Sequence, residues 1–163
     1  MQDWDNFYML VGGTAGTLIG LIFVVITLGI EYGKRGDDDR TRLFVTPILV
    51  QFGTLLLIST AAVSPLDATW RAITLGLIGC AGLAYTSNLA VLSRRRTDLE
   101  DRELLWDVLL PIAAYVLLVM GAAAWAFEAS FADDLTALSA VLLLVTGVRN
   151  SWAITLAIAE RGK

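Results

Sequence analysis

Five long stretches of this chain are almost free of charge, and they constrain its fold more than any other feature. They are Phe7–Ile30, Leu43–Val63, Ala72–Ser93, Val108–Phe127 and Leu135–Ala159. Each is 20 to 25 residues long, and the one charged side chain in all five is Arg149. About 20 apolar residues cross the hydrocarbon core of a bilayer as a helix. An ordinary soluble domain is about a quarter charged. Here 17% of residues are charged, 56% are hydrophobic and the mean hydropathy is +0.68. The pattern predicts an all-α polytopic membrane protein, with a single transmembrane domain over residues 1–163 and five spans. The residues between the spans are too few for a sizeable domain outside the membrane.

Basic residues set the orientation, because Lys and Arg gather at the cytoplasmic ends of spans. Lys34, Arg35, Arg40 and Arg42 lie between the first and second spans. Arg94, Arg95, Arg96 and Arg102 lie between the third and fourth, and Arg161 and Lys163 follow the fifth. On the other side stands Arg71 alone. The split predicts an N-out/C-in chain. The first span is expected to be an uncleaved anchor, since acidic Asp3 and Asp5 lead it and no small-residue cleavage site follows. Trp4, Phe7, Tyr8, Tyr32, Trp70, Trp106 and Trp125 fall at span ends, where amphipathic rings favour the headgroup level.

Several chemistries are excluded by composition. The chain has no His, which removes His-ligated haem, His-based zinc sites and a Ser-His-Asp triad. The net charge of −4 argues against nucleic acid as a partner. Cys80 is the sole cysteine, so it forms no intrachain disulfide and is expected to be a small packing residue. No nucleophile–base pair is visible, and the sequence implies neither an enzyme nor a cofactor. Asp37, Asp38 and Asp39 could offer oxygen ligands to a divalent cation. With basic residues beside them they are read instead as a solvated turn with Asp39 capping the second helix. Thr97-Asp98-Leu99-Glu100 has the form of a capping box. Asp133 or Asp134 is expected to cap the fifth helix.

Within the spans, Gly12, Gly16 and Gly20 recur at spacing four and share one face of the first helix. A face without side chains lets another backbone come close, and such packing drives association in lipid. The partner is either a neighbouring span or a second copy of the chain. Gly76, Gly79 and Gly82 allow a similar crossing in the third span. Pro111 is expected to kink the fourth.

Arg149 is the costly group. Near the middle of a span an Arg costs about 2.5–3.5 kcal/mol even on the insertion scale. On a helical wheel Ser139, Thr146, Arg149, Asn150 and Glu160 share one side of the fifth helix, while Val141, Val148 and Trp152 point away. That polar stripe must face protein or water. Gln51 is the expected neutral partner at the depth of Arg149, with Tyr115 another. Arg149 is then either the selective point of a polar pathway or a structural residue tied by hydrogen bonds.

Trp4-Asp5-Asn6-Phe7, the run Gly12-Gly13-Thr14-Ala15-Gly16, Leu18-Ile19-Gly20-Leu21-Ile22-Phe23-Val24 and Asn150-Ser151-Trp152 resemble a group of small, functionally uncharacterised bacterial membrane proteins with a Gly/Ala-rich first span. The resemblance implies a bacterial inner-membrane location and brings no activity with it.

Three functional classes compete. An intramembrane enzyme is the weakest, since no nucleophile–base pair or metal cluster is visible. The channel is read ahead of the scaffold, because a water-filled path explains the buried Arg149. In the first, a homo-oligomeric ion channel has a polar path along the fifth span. It is lined by Arg149, Asn150, Gln51, Thr146 and Ser139, and the ring of arginines prefers anions. In the second, a non-conducting scaffold or regulatory subunit holds a larger membrane complex. Both have the lipid bilayer as surroundings, and both allow self-association or a membrane-protein partner.

Overall fold

The computed structural model describes residues 2–32, 38–94 and 105–161. They form five α-helices: α1 (Gln2–Tyr32), α2 (Asp38–Val63), α3 (Ala68–Arg94), α4 (Leu110–Ala126) and α5 (Ala132–Arg161). No strand occurs among the described residues. Helices α1, α2 and α3 are each long and apolar enough to cross a membrane, and α4 is a shorter apolar helix.

The connections between α2 and α3 and between α4 and α5 are tight, and the sequence explains both. Asp67 ends the first, and its carboxylate accepts the Trp70 N–H at 2.9 Å, capping α3. In the second, the Glu128 N–H donates to Trp125 O at 3.1 Å and the Ala129 N–H to Ala124 O at 2.9 Å. These are the two bonds of a Schellman motif, which needs a left-handed residue after the helix. Glu128 fills that place at φ 52°, without the freedom of glycine.

Helices α2 and α5 share the centre. Helix α2 packs against α1, α3 and α5, α5 packs against α1, α2 and α4, and α4 lies between α3 and α5. Phe52, Leu55 and Ile58 of α2, Leu75 of α3, Tyr115 and Leu118 of α4 and Leu143 of α5 are fully buried in one core. Close crossings occur where glycines meet neighbours. A Cβ on Gly12 would lie 2.9 Å from the Ser59 Cβ, so the head of the first glycine face packs onto α2. The contact then opens: Leu56 is 3.8 Å from the same position on Gly16, and nothing lies within 4 Å on Gly20. On α3, Gly82 makes room for the Tyr115 ring and Gly79 for Val119.

Pro111 falls just inside α4, which continues directly from a single π turn, Leu105–Leu109, so the helical ladder is irregular immediately ahead of the proline. Three expectations are corrected. Cys80 is exposed on α3 and is no packing residue of the bundle. Asp39 lies in the first turn of α2, which starts at Asp38, and Asp133 and Asp134 lie in the first turn of α5. There these acids suit the helix dipole without occupying the cap position. The stretch Thr97–Glu100 lies outside the described residues, as does Asp37.

Replacing Glu128 by Gly should remove the left-handed strain and raise the unfolding free energy by about 1 kcal/mol, measured by denaturation in detergent. Gly82→Ala should lower it by about 1–3 kcal/mol, because the new methyl overlaps the Tyr115 ring.

Candidate functional site

The polar stripe of α5 turns inward along its first half. Ser139 is fully buried, and its hydroxyl donates across the helix interface to Ala114 O at 2.7 Å. Thr146, also fully buried, donates back to Leu142 O at 2.8 Å and Leu143 O at 3.1 Å. Both hydroxyls are therefore satisfied by backbone carbonyls within the bundle. The opposite face, Leu138, Val141, Val145, Val148 and Trp152, is exposed and apolar throughout. Its three- and four-residue spacing places these side chains in one row.

Gln51 is buried on α2, next to the place where Gly147 lets α5 approach. A Cβ on Gly147 would lie 2.8 Å from the Phe52 ring and 3.4 Å from Gln51 Oε1. That oxygen has no hydrogen-bond partner. Gln51 thus meets the polar side of α5 but not Arg149. Tyr115 is not the partner of Arg149 either: its hydroxyl pairs with Thr54 Oγ1 at 3.0 Å in the core. The Tyr115 side chain reaches from α4 to α2 through this pair, and its hydroxyl is turned to the core.

Arg149 is half-buried and lies at the edge of the stripe. Its guanidinium carbon stands 4.9 Å from the centroid of the Trp106 ring, and Nη1 donates to Asn150 Oδ1 at 3.4 Å. Trp106 belongs to the π turn ahead of α4. The long side chain therefore leans toward the end of the bundle where α4 begins and stacks its planar head on an indole. This is a cation–π contact that a guanidinium makes well. The surface beside it is open and is formed by Leu144, Val145, Val148 and Trp152 of the same helix. Of the expected pathway residues, the structure brings Arg149 and Asn150 together. Ser139 and Thr146 sit in the core, and Gln51 lies across from them on α2.

One polar centre escaped the sequence reading. At the other end of the bundle, Arg71 of α3 stands with its guanidinium carbon 4.7 Å from the centroid of the Trp125 ring and donates through Nη2 to Ser64 O at 3.3 Å. Asp133 of α5 lies near it: burial raises its carboxyl above the ordinary aspartate range, and the Arg71 charge opposes that rise. The available signal was Arg71 itself, the single basic residue facing six acids in the N-terminal segment and the two connections at that end. Among the described residues, no group of three or more side chains of metal-ligating type stands together.

No family model matches the chain, and no curated protein or solved structure is significantly similar to it.

A double-mutant cycle measures the Arg149–Trp106 contact. Arg149→Met and Trp106→Leu, alone and together, should show a coupling of about 0.5–2 kcal/mol in detergent unfolding. A coupling near zero would mean that the ring does not hold the guanidinium.

Proposed function

We propose that the chain is a five-span, N-out/C-in membrane protein that acts by helix assembly within the bilayer, as a scaffold or regulatory subunit that associates with its own copies. The observation that carries this reading is the uncovered face of α1. Its apolar window, Trp4–Thr27, is only 17% buried. Leu10, Gly13, Thr17, Gly20, Val24 and Thr27 all face outward from the bundle. No neighbouring atom lies within 4 Å of a Cβ built on Gly13 or Gly20. Small residues on an open face of a membrane helix favour close approach by another helix. Thr17 and Thr27 bond back to Gly13 O at 2.9 Å and Phe23 O at 2.8 Å, so the face needs no water. The ten-to-one split of basic residues supports the orientation. The inner-membrane location rests on the resemblance read from the sequence of the first and last spans.

The homo-oligomeric channel is the second reading, and Arg149 favours it. A half-buried guanidinium on α5 is costly against lipid and calls for water or protein beside it. Copies arranged around an axis would form a ring of positive charge there, with Asn150 beside each, and such a ring prefers anions. The scaffold comes first because Ser139 and Thr146 are spent inside the bundle and the surface around Arg149 is otherwise apolar.

Mass measurement of the nanodisc-extracted complex tests the assembly. Gly13→Leu and Gly20→Leu should reduce the number of copies while leaving the fold intact, whereas Gly12→Leu should damage the fold itself. A mass unchanged by both outward substitutions would remove α1 as the contact. Reporters fused at the two ends should show the start of the chain outside and its end in the cytoplasm. Reconstitution under a chloride gradient separates the readings. The scaffold gives no current, and the channel gives an anion-selective current whose reversal potential moves in Arg149→Gln.

A further inference from the structure

The end of the bundle that holds Arg71 carries a cavity of about 210 Å³ to which all five helices contribute. Its polar and aromatic walls are Trp4, Asp5, Tyr8, Arg71, Trp125 and Asp133. Drug-sized pockets run from about 300 Å³ upward, so this one suits a smaller group. The walls are tied down. The Tyr8 hydroxyl donates to Asp133 O at 3.3 Å, fixing α1 to α5. The Trp4, Phe7 and Tyr8 rings pack at centroid distances of 5.2 to 6.3 Å.

The chemistry of the walls is mixed in sign. A guanidinium stays charged and has five N–H donors. That of Arg71 is stacked on Trp125 and gives one bond to Ser64 O, while its buried Nε has no partner. A guanidinium that lines a cavity and has made one hydrogen bond keeps further donors for an oxyanion. Two carboxylates, Asp5 and Asp133, share the cavity, so an anion alone would meet net negative charge. A lone cation would meet Arg71. A group carrying both signs satisfies both constraints: its oxyanion on Arg71, and its ammonium between the carboxylates and the aromatic rings. We propose that this cavity binds a zwitterion of an oxyanion and a primary ammonium, the chemistry of a phosphoethanolamine group. The exposed rings of Trp70 and Phe127 at the same end suit the headgroup level of a bilayer, which makes a phosphatidylethanolamine headgroup the favoured source. This last step rests on the membrane orientation proposed above, but the ligand chemistry does not.

The test uses the full chain in detergent, with binding read from tryptophan fluorescence, since Trp4 and Trp125 line the cavity. The probes are short-chain phosphatidylethanolamine, short-chain phosphatidylglycerol (an anion without the amine) and free phosphoethanolamine. The ethanolamine lipid should saturate and bind about tenfold more tightly than the glycerol lipid, the effect of one charged contact. Arg71→Gln and Asp5→Asn should each weaken it by a similar factor, with the melting temperature of the unliganded protein as the check on folding. If Arg71→Gln does not fold, Asp5→Asn decides. Free phosphoethanolamine binding as tightly as the lipid would support the zwitterion site and make a soluble molecule its source. Weaker binding would support the lipid. Equal binding of the two lipids, or no change in the folded variants, would overturn the proposal.

Discussion

A hydroxyl on a helix without water must find its acceptor in the protein, and the rest of this structure depends on how that demand is met. Thr14, Thr17, Thr27, Thr60 and Thr74 each donate to the carbonyl four residues earlier, at 2.8 to 2.9 Å. They can therefore lie on outward faces without exposing an unmet donor. Ser139 instead crosses to Ala114 O, and Tyr115 meets Thr54. These two contacts fix α4 against α5 and α2. Gln51 Oε1 and Ser59 Oγ are buried without partners and mark the places where the demand is not met by the chain itself.

Charge alone made the helices legible. The ends of α1 to α5 lie close to the limits of the five uncharged stretches, because a long apolar helix stops where its flanks turn polar. The direction of the α5 stripe was legible as well. Helical periodicity placed Ser139 and Thr146 on one side and Val141, Val148 and Trp152 on the other, and the structure buries the first pair and exposes the other three. Periodicity reads a face, however, and not what covers it. Gly12, Gly16 and Gly20 do share a face, yet only its head meets α2 closely. The small residues left open are Gly20, at the far end of that face, and Gly13 and Thr17 beside it.

The partners of the charged residues were not legible for the same reason. Arg149 and Trp106 lie on different elements, and spacing within α5 carries no information about the turn that precedes α4. A reach of several ångströms along its side chain also let Arg149 lean toward an aromatic ring and away from Gln51 at its own depth. Arg71 was visible as a charge asymmetry. Its role as the cation of a mixed-sign cavity needed the five helix ends to be brought together.

The central claim is that the protomer is closed, with its polar stripe turned in and an apolar row turned out. Spin labels at single cysteines along α5, in a Cys80→Ser background reconstituted in bilayers, test it most directly. Labels at 138, 141, 145 and 148 should collide with oxygen dissolved in the lipid, and labels at 139, 143 and 146 should be shielded from both oxygen and a water-soluble nickel chelate. Strong collision of the chelate with labels at 139 and 146 would show that water reaches the stripe, and would contradict a closed bundle.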